Sequence, residues 1–190
     1  MEYLNFIVPA CWIIFLVYWI ISARKTKRTI KTKGPVDVNF YPIMFLGYIL
    51  FVRPRFPKPF DFLSVKLLPD NQWLMLLGIA IVIGGLVITI IARRTLADNW
   101  SSAVTFKENH ELITAGIYHF VRHPIYTGIL LMFLGSAYLY LSWSTIIGFG
   151  LMVFAIIYKI RLEEKMMTEH FPDAYPIYKT KVKAIIPFVL

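Results

Sequence analysis

The side chains able to take part in chemistry are concentrated in two blocks of the sequence. One block extends from Ala97 to Tyr126 and the other from Lys159 to Pro187. The 36-residue stretch from His123 to Tyr158 links them and contains no Asp, Glu, Lys or Arg. It is too long for one ordinary membrane span, so it predicts a helical hairpin that brings the two blocks together. The paired blocks could bind a charged, soluble cofactor beside an acceptor embedded in lipid.

Two histidines in the first block, His119 and His123, are four residues apart, a spacing that would suit two zinc ligands on one helix face. Pro124 follows directly, and no third ligand lies nearby in the sequence. No metal site is therefore expected. Pro124 is instead predicted to begin a helix, where its missing N–H costs nothing.

Each of the other polar residues has an ordinary structural explanation when it is taken alone. Tyr118 and Tyr126 could be interfacial aromatics, and Gly116 and Gly128 could serve a turn or a helix contact. The alternating charges of residues 159–164 could form a solvated helix end. Only the combination of these residues, in this order, favours a functional site.

The composition indicates an integral membrane protein. Hydrophobic residues make up 58% of the 190 residues and charged residues 16%, and the mean hydropathy is +0.63. A soluble domain has about 45–50% apolar and about 25% charged residues, and a disordered chain is poor in aliphatic and aromatic residues. The net charge of +9 is therefore attributed to cytoplasmic flanks of membrane helices, and no nucleic-acid partner is expected.

Five apolar segments predict an all-α, polytopic fold. The first three extend from Leu4 to Ile21, from Phe40 to Val52 and from Trp73 to Ala92. The hairpin supplies the fourth and fifth, with a break at Leu141–Ser144, where Ser is a preferred helix N-cap. The proline-rich stretch Arg53–Pro59 predicts a non-helical connection.

The basic residues predict the orientation of these segments. Segments 22–39, 93–125 and 159–190 carry six, four and six Lys and Arg residues, and the loop 53–72 carries the other four. The positive-inside rule then places the N-terminus outside and the C-terminus in the cytoplasm, with a cytoplasmic site.

The chain is expected to divide into two functional regions. Residues 1–92 would form three N-terminal spans, and residues 93–190 the catalytic region, which includes the hairpin 125–158 and a cytoplasmic C-terminal segment. Gly78 and Gly85 are seven residues apart, so they share a face of the third helix where another helix could approach closely.

Three motifs in the second region resemble the isoprenylcysteine carboxyl methyltransferase family, within a wider group that includes phospholipid methyltransferases. The motifs are H-x-L-x-x-x-G-x-Y at residues 110–118, R-H-P-x-Y at 122–126 and E-E at 163–164. The resemblance covers roughly residues 93–188. R-H-P-x-Y alone also resembles membrane sterol reductases, which use NADPH.

The resemblance implies S-adenosylmethionine as the cofactor and a prenylated or otherwise lipophilic acceptor. It also implies that the anionic head of the acceptor is held by Lys159, which aligns with an arginine that binds the acceptor carboxylate in some members, or by Arg161, two residues later. Some members have a glutamine before the H-x-L motif. This chain has none there, and Thr105 is the nearest counterpart. The residues expected to bind the cofactor are His110, Glu111, Leu112, Ile113, Gly116, Tyr118, Arg122, His123, Pro124, Ile125, Tyr126 and Glu163.

Several functions remain open at this point. A carboxylate acceptor is already a nucleophile at neutral pH, whereas a phospholipid amine must first lose a proton. The sequence shows no uniquely placed base, which favours carboxyl methylation. The alternatives are a phospholipid amine methyltransferase, an NADPH-using reductase and a non-catalytic membrane subunit. The expected location is a prokaryotic cytoplasmic membrane, or the endoplasmic reticulum of a eukaryote. The acceptor is expected to enter from the surrounding membrane lipid, near the hairpin and the third span.

Overall fold

The structure is a computed structural model that describes residues 4, 6–24, 29–31, 40–52, 58–100, 106–107 and 111–187. This part of the chain is dominated by helices. The six α-helices are α1 (Ile7–Ala23), α2 (Phe40–Phe51), α3 (Gln72–Leu96), α4 (Pro124–Tyr140), α5 (Trp143–His170) and α6 (Ala174–Lys181). Two short antiparallel strands, β1 (Thr29–Lys31) and β2 (Phe106–Lys107), pair with each other.

The five apolar segments all form helices, which confirms the predicted helical fold. Among the described residues, α3 and α5 are long and apolar enough to cross a membrane, with 25 and 28 residues. The shorter apolar helices α1, α2 and α4 have 17, 12 and 17 residues. The pair β1–β2, which was not predicted, joins the segments that follow α1 and α3.

Local sequence signals fix where these helices begin. Asn71 caps α3, because its side-chain oxygen accepts hydrogen bonds from the N–H groups of Trp73 and Leu74 at 2.9 and 3.2 Å. Pro124 is the first residue of α4. Ser142 caps α5 by accepting a hydrogen bond from the Thr145 N–H at 3.3 Å. The predicted hairpin break and the predicted start at Pro124 are both confirmed.

The two arms of the hairpin pack mainly against other helices. α4 lies along α3, and α5 lies along α2. A Cβ added to Gly78 would approach the carbonyl oxygen of Gly135 to 2.7 Å, and one added to Gly85 would approach that of Gly128 to 2.5 Å. Any larger side chain would therefore push α3 and α4 apart. The predicted close approach at Gly78 and Gly85 is confirmed, and its partner is α4.

α5 continues well beyond its apolar part and carries the second polar block on the same helix. The apolar sequence ends at Tyr158, and the helix ends at His170. The segment after α6 then returns to the first block, where the N–H groups of Arg122 and His123 donate to the carbonyls of Lys183 and Ala184 at 2.8 and 2.9 Å. The two blocks therefore meet, as the hairpin predicted.

Candidate active site

Both polar blocks line one cavity of about 370 Å³. A volume of this order is typical of small-molecule sites in proteins. Its walls include ten of the residues predicted to have a functional role. They are Glu111, Leu112, Ile113, Tyr118, Arg122, His123, Ile125, Tyr126, Lys159 and Glu163.

The remaining predicted residues have other positions. Gly116 has a φ of +62°, a left-handed conformation that favours glycine, and it shapes the turn before Tyr118. Pro124 is buried as the first residue of α4. Arg161 is exposed and is not among the residues that line the cavity. His110 lies outside the described residues.

Arg122 has a partner that the sequence did not reveal. Its Nε and Nη2 atoms donate to Glu164 Oε1 at 2.9 and 2.5 Å, and both side chains are less than one tenth exposed. Its Nη1 atom donates to the carbonyls of Lys179 and Val182. The Nζ atom of Lys179 lies 2.7 Å from Glu164 Oε2. These contacts form a clamp that ties α5, the first block and the C-terminal segment together.

The alternative explanation of a solvated helix end does not hold for Glu164, because the residue is buried. Arg122 was among the residues expected to bind the cofactor. Although it reaches the cavity wall, its guanidinium group is bound to Glu164, so most of its hydrogen-bonding capacity serves the clamp.

Glu163, the residue before Glu164, faces the cavity instead. Its Oε1 atom accepts a hydrogen bond from the Tyr126 hydroxyl at 2.6 Å. His123 stands between the two carboxylates, with Nδ1 3.6 Å from Glu163 Oε2 and Nε2 3.3 Å from Glu164 Oε1. The His123 ring stacks on Tyr126 with centroids 5.8 Å apart. The motif residues are therefore in direct contact.

Lys159 brings a cation to the same wall. Its side chain is only 14% exposed, and its Nζ atom lies 3.9 Å from Glu163 Oε1. The same atom lies over the Phe40 and Tyr126 rings, 5.1 and 5.6 Å from their centroids. Aromatic faces attract a cation and shield it from water. An anion in the cavity would therefore meet a held positive charge.

Two buried tyrosines fix the loop that precedes α4. The Tyr178 hydroxyl donates to the Tyr118 carbonyl at 2.5 Å, and the Tyr118 hydroxyl donates to the Ala92 carbonyl at 3.4 Å. Burial raises the pKa of Tyr178 to about 12, against a smaller lowering effect of Arg122. Burial also raises the pKa of Tyr118. Both hydroxyls therefore stay protonated at neutral pH and act as donors.

The cavity also takes side chains that were not among the predicted site residues. Trp19 of α1, Tyr41 and Met44 of α2 and Trp100 after α3 line it. Sequence reasoning missed these residues. The only signal was their place at or near the ends of apolar segments, where aromatic side chains are usually explained as interfacial anchors.

Comparison with known sequences identifies the family. The sequence model of the family described as phospholipid methyltransferase matches residues 73–174, more than half of the chain. The chain belongs to this family. The match begins near the start of α3 and ends at the start of α6, so this family region contains most of the cavity-lining residues.

Within the family, the chain is similar to curated isoprenylcysteine methyltransferases. It is 34% identical to protein-S-isoprenylcysteine O-methyltransferase of Saccharomyces cerevisiae over 116 residues, which is 60% of this chain and 48% of that protein. It is 26% identical to the B form of that enzyme in Arabidopsis thaliana, over 64% of each chain. The chain thus spans about half to two thirds of the length of these relatives. The resemblance inferred from the motifs is confirmed.

A solved structure shows the same fold. The eukaryotic intramembrane Ras methyltransferase, an isoprenylcysteine carboxyl methyltransferase, superimposes with a TM-score of 0.56 at 21% identity. The match covers 83% of this chain and 55% of that one. The helical arrangement of most of this chain is therefore shared with that protein.

Proposed function

We propose that this chain is an integral-membrane, S-adenosylmethionine-dependent methyltransferase that methylates the carboxylate of a lipophilic, isoprenylcysteine-like acceptor. The observation that carries this proposal is the composition of the cavity. It holds the Lys159 cation and the Glu163 carboxylate within 3.9 Å of each other, beside aromatic side chains of the apolar helices.

The residues of the cavity fit the cofactor. Its α-ammonium group needs an anion, and Glu163 lies in the wall. Its carboxylate needs a donor, and His123 is a better candidate than Arg122, because the His123 ring nitrogens lie 3.3 and 3.6 Å from the two glutamates whereas Arg122 is bound at 2.9 and 2.5 Å. Its adenine needs an apolar, partly aromatic slot, which Tyr118 and Ile113 could supply.

The chemistry requires little from the protein beyond positioning. When bound, S-adenosylmethionine supplies a sulfonium methyl group: the acceptor oxygen forms a C–O bond as the C–S bond breaks, and the electron pair stays on sulfur. Lys159 would hold the acceptor carboxylate through a charge-assisted hydrogen bond. No residue has to remove a proton, since the carboxylate is already ionised at neutral pH.

The acceptor would enter sideways from the lipid. Each CH₂ group moved into water costs about 0.8 kcal/mol, so a fifteen-carbon prenyl chain would face roughly 10 kcal/mol. The close glycine contacts between α3 and α4 argue against the expected entrance beside the third span. A gap between α1 and α2 is favoured instead, because Trp19 and Met44 line the cavity while α1 packs on α3 and α2 on α5.

We propose that all five apolar helices are membrane segments, with the cavity facing the cytoplasm. The charge distribution and the extension of α5 beyond Tyr158 support this orientation. At 1.5 Å per residue the 12 residues of α2 span about 18 Å, less than a bilayer core of about 30 Å. α2 by itself therefore reaches only part of the way across a bilayer core. Residues 1–92 would contribute the acceptor side, and residues 93–190 most of the cofactor site.

The test is a methyl-transfer assay on purified protein in nanodiscs. A farnesylated N-acetylcysteine with a free carboxylate and radiolabelled S-adenosylmethionine should give labelled product that alkali releases as methanol. Its methyl ester, which has no free carboxylate, is the matched control and should stay unlabelled. Absence of labelling with the free acid would contradict carboxyl methylation.

A phospholipid amine is the second candidate acceptor. The family description and the Glu163 carboxylate, which could bind an ammonium group, favour it, whereas the nearby Lys159 cation opposes it. Nanodiscs that contain phosphatidylethanolamine separate the two reactions, because an N-methyl product keeps its label in alkali. Calorimetric titration with S-adenosylhomocysteine and with NADPH then tests the reductase and the non-catalytic alternatives.

A further inference from the structure

Arg93, near the C-terminal end of α3, is a buried cation that contacts two other segments. Arg93 is only 3% exposed. Nη2 donates to the carbonyl of Ser22 in the last turn of α1 at 2.7 Å, and Nη1 donates to the carbonyl of Ala97 at 2.6 Å. The last carbonyls of a helix have no partner within the helix and carry partial negative charge, so a guanidinium group is well suited to them. Arg93 therefore ties α1 to the end of α3.

The bond to Ala97 holds an unusual turn. Ala97 has a φ of +46° and a ψ of −120°, a conformation that residues with a side chain rarely adopt. Such a conformation persists only where the surroundings hold it. Here the Ala97 N–H donates to the Arg94 carbonyl, and the Ala97 carbonyl accepts from Arg93. This turn sets the direction in which the chain leaves α3.

The turn leads to Trp100, which Arg93 also contacts. The guanidinium carbon lies 4.6 Å from the centroid of the Trp100 ring. Trp100 meets Trp19 of α1 edge to face, with centroids 5.5 Å apart. Both tryptophans line the cavity. Trp19 and Trp100 together form the Trp19–Trp100 wall of the cavity. The Arg93 side chain holds the end of α1, the turn at Ala97 and the Trp100 ring of this wall.

We propose that Arg93 is a positioning residue that sets the width of the acceptor entrance by holding the Trp19–Trp100 wall against α3. The inference rests on the proposed function, in which the acceptor enters between α1 and α2. Deeper in the helix layer, Trp12 of α1 packs on Phe133, which contacts Phe51 of α2. The end of α1 that Arg93 holds is therefore the part that would move if Arg93 were lost, and a long lipid tail that fills the entrance would be affected more than a short one.

The experiment compares Arg93→Met with Arg93→Lys, and with Arg94→Met as the matched control. Arg94 is the neighbouring, exposed arginine of the same helix turn. Each full-length variant is assayed in nanodiscs with a fifteen-carbon and a five-carbon S-prenyl N-acetylcysteine. R93M should raise the KM for the long-tailed acceptor about tenfold with kcat largely retained. R93K should reverse part of this rise in KM, and R94M should have the same KM as the unsubstituted protein.

Two further measurements separate positioning from loss of the whole site. The S-adenosylhomocysteine affinity of R93M should stay within about twofold of the unsubstituted protein, because Arg93 is absent from the cavity wall. The near-ultraviolet circular dichroism of the edge-to-face tryptophan pair should be lost in R93M, lost in Trp100→Phe and retained in R94M. If R93M does not fold, R93K and W100F carry the comparison.

The outcomes distinguish this inference from the proposed function. An unchanged KM and an unchanged tryptophan signal in R93M would overturn the positioning role, as would equal losses of cofactor and acceptor affinity. If no prenylcysteine is methylated by any variant, the proposed function fails. The tryptophan signal alone then decides whether Arg93 holds the wall.

Discussion

Two neighbouring clusters on α5 use the same kinds of charge for different purposes. In the clamp, Glu164 is buried between Arg122 and Lys179 and binds the C-terminal segment. In the cavity, Glu163 faces Lys159 and accepts from Tyr126. Consecutive residues on a helix point about 100° apart, so one E-E pair serves both clusters. Of the two carboxylates, only that of Glu163 has open space beside it in which a ligand could be bound.

The largest expected effect comes from breaking the clamp with Glu164→Gln. This change leaves the buried Arg122 cation without its anionic partner, and loss of one member of a buried pair costs about 3–5 kcal/mol. The melting midpoint of the purified protein should fall sharply, and activity should fall with it. Glu169→Gln removes an exposed carboxylate from the same helix and is the control. A midpoint for E164Q equal to that of E169Q would show that the clamp contributes no stability.

The second prediction is that Glu163→Gln separates ligand binding from stability. Hydrogen bonds to charged groups contribute about 1.5–3 kcal/mol, so the affinity for S-adenosylhomocysteine should fall roughly 10- to 100-fold. The melting midpoint without ligand should stay close to that of the unsubstituted protein. Calorimetry and thermal melting on the same preparation check both. The proposed difference in role between Glu163 and Glu164 is wrong if E163Q has a melting midpoint as low as that of E164Q and an unchanged affinity for S-adenosylhomocysteine.

Much of the helical framework could be predicted because its signals are local. The uncharged run before Lys159 predicts apolar helices. Pro124 and Ser142 each determine where a helix begins to within a few residues. The Gly78 and Gly85 spacing predicted a close helix contact, and the structure supplies the partner, α4. Most of the site residues that the sequence predicted likewise line the cavity.

The division of labour within the site could not be predicted because it depends on distant contacts. Nothing in the sequence near Glu164 shows that Arg122, 42 residues away, will bind it. Trp19 and Trp100 meet only once α1 is packed on α3. Arg161 fits the charge pattern as well as Lys159 does, yet two residues along a helix turn it away from the cavity.

That difference gives the third prediction, Lys159→Met against Arg161→Met. Loss of the cavity cation should raise the KM for a carboxylate acceptor about tenfold, because a charge-assisted bond to the acceptor disappears. Arg161 is exposed and outside the cavity wall, so R161M should leave both KM and kcat unchanged. Kinetics in nanodiscs with a prenylcysteine measure both variants. Equal KM values for K159M and R161M would remove Lys159 as the acceptor anchor.

The smallest expected effect concerns how Lys159 is held. Phe40, the first residue of α2, is buried, and its ring centroid lies 5.1 Å from Lys159 Nζ. Phe40→Leu keeps an apolar side chain but removes the aromatic face, and a shielded cation–π contact contributes about 0.5–2 kcal/mol. We expect a threefold to tenfold rise in acceptor KM, which is about 0.6–1.4 kcal/mol and lies within that range, with unchanged cofactor affinity. Phe40→Tyr retains the ring and should restore the KM.

A second contact limits the size of this effect, because Lys159 also lies 3.9 Å from Glu163. The rise in acceptor KM in F40L should therefore not exceed the rise in K159M. A larger loss in F40L than in K159M would mean that Phe40 acts on the packing of α2 and not through the lysine.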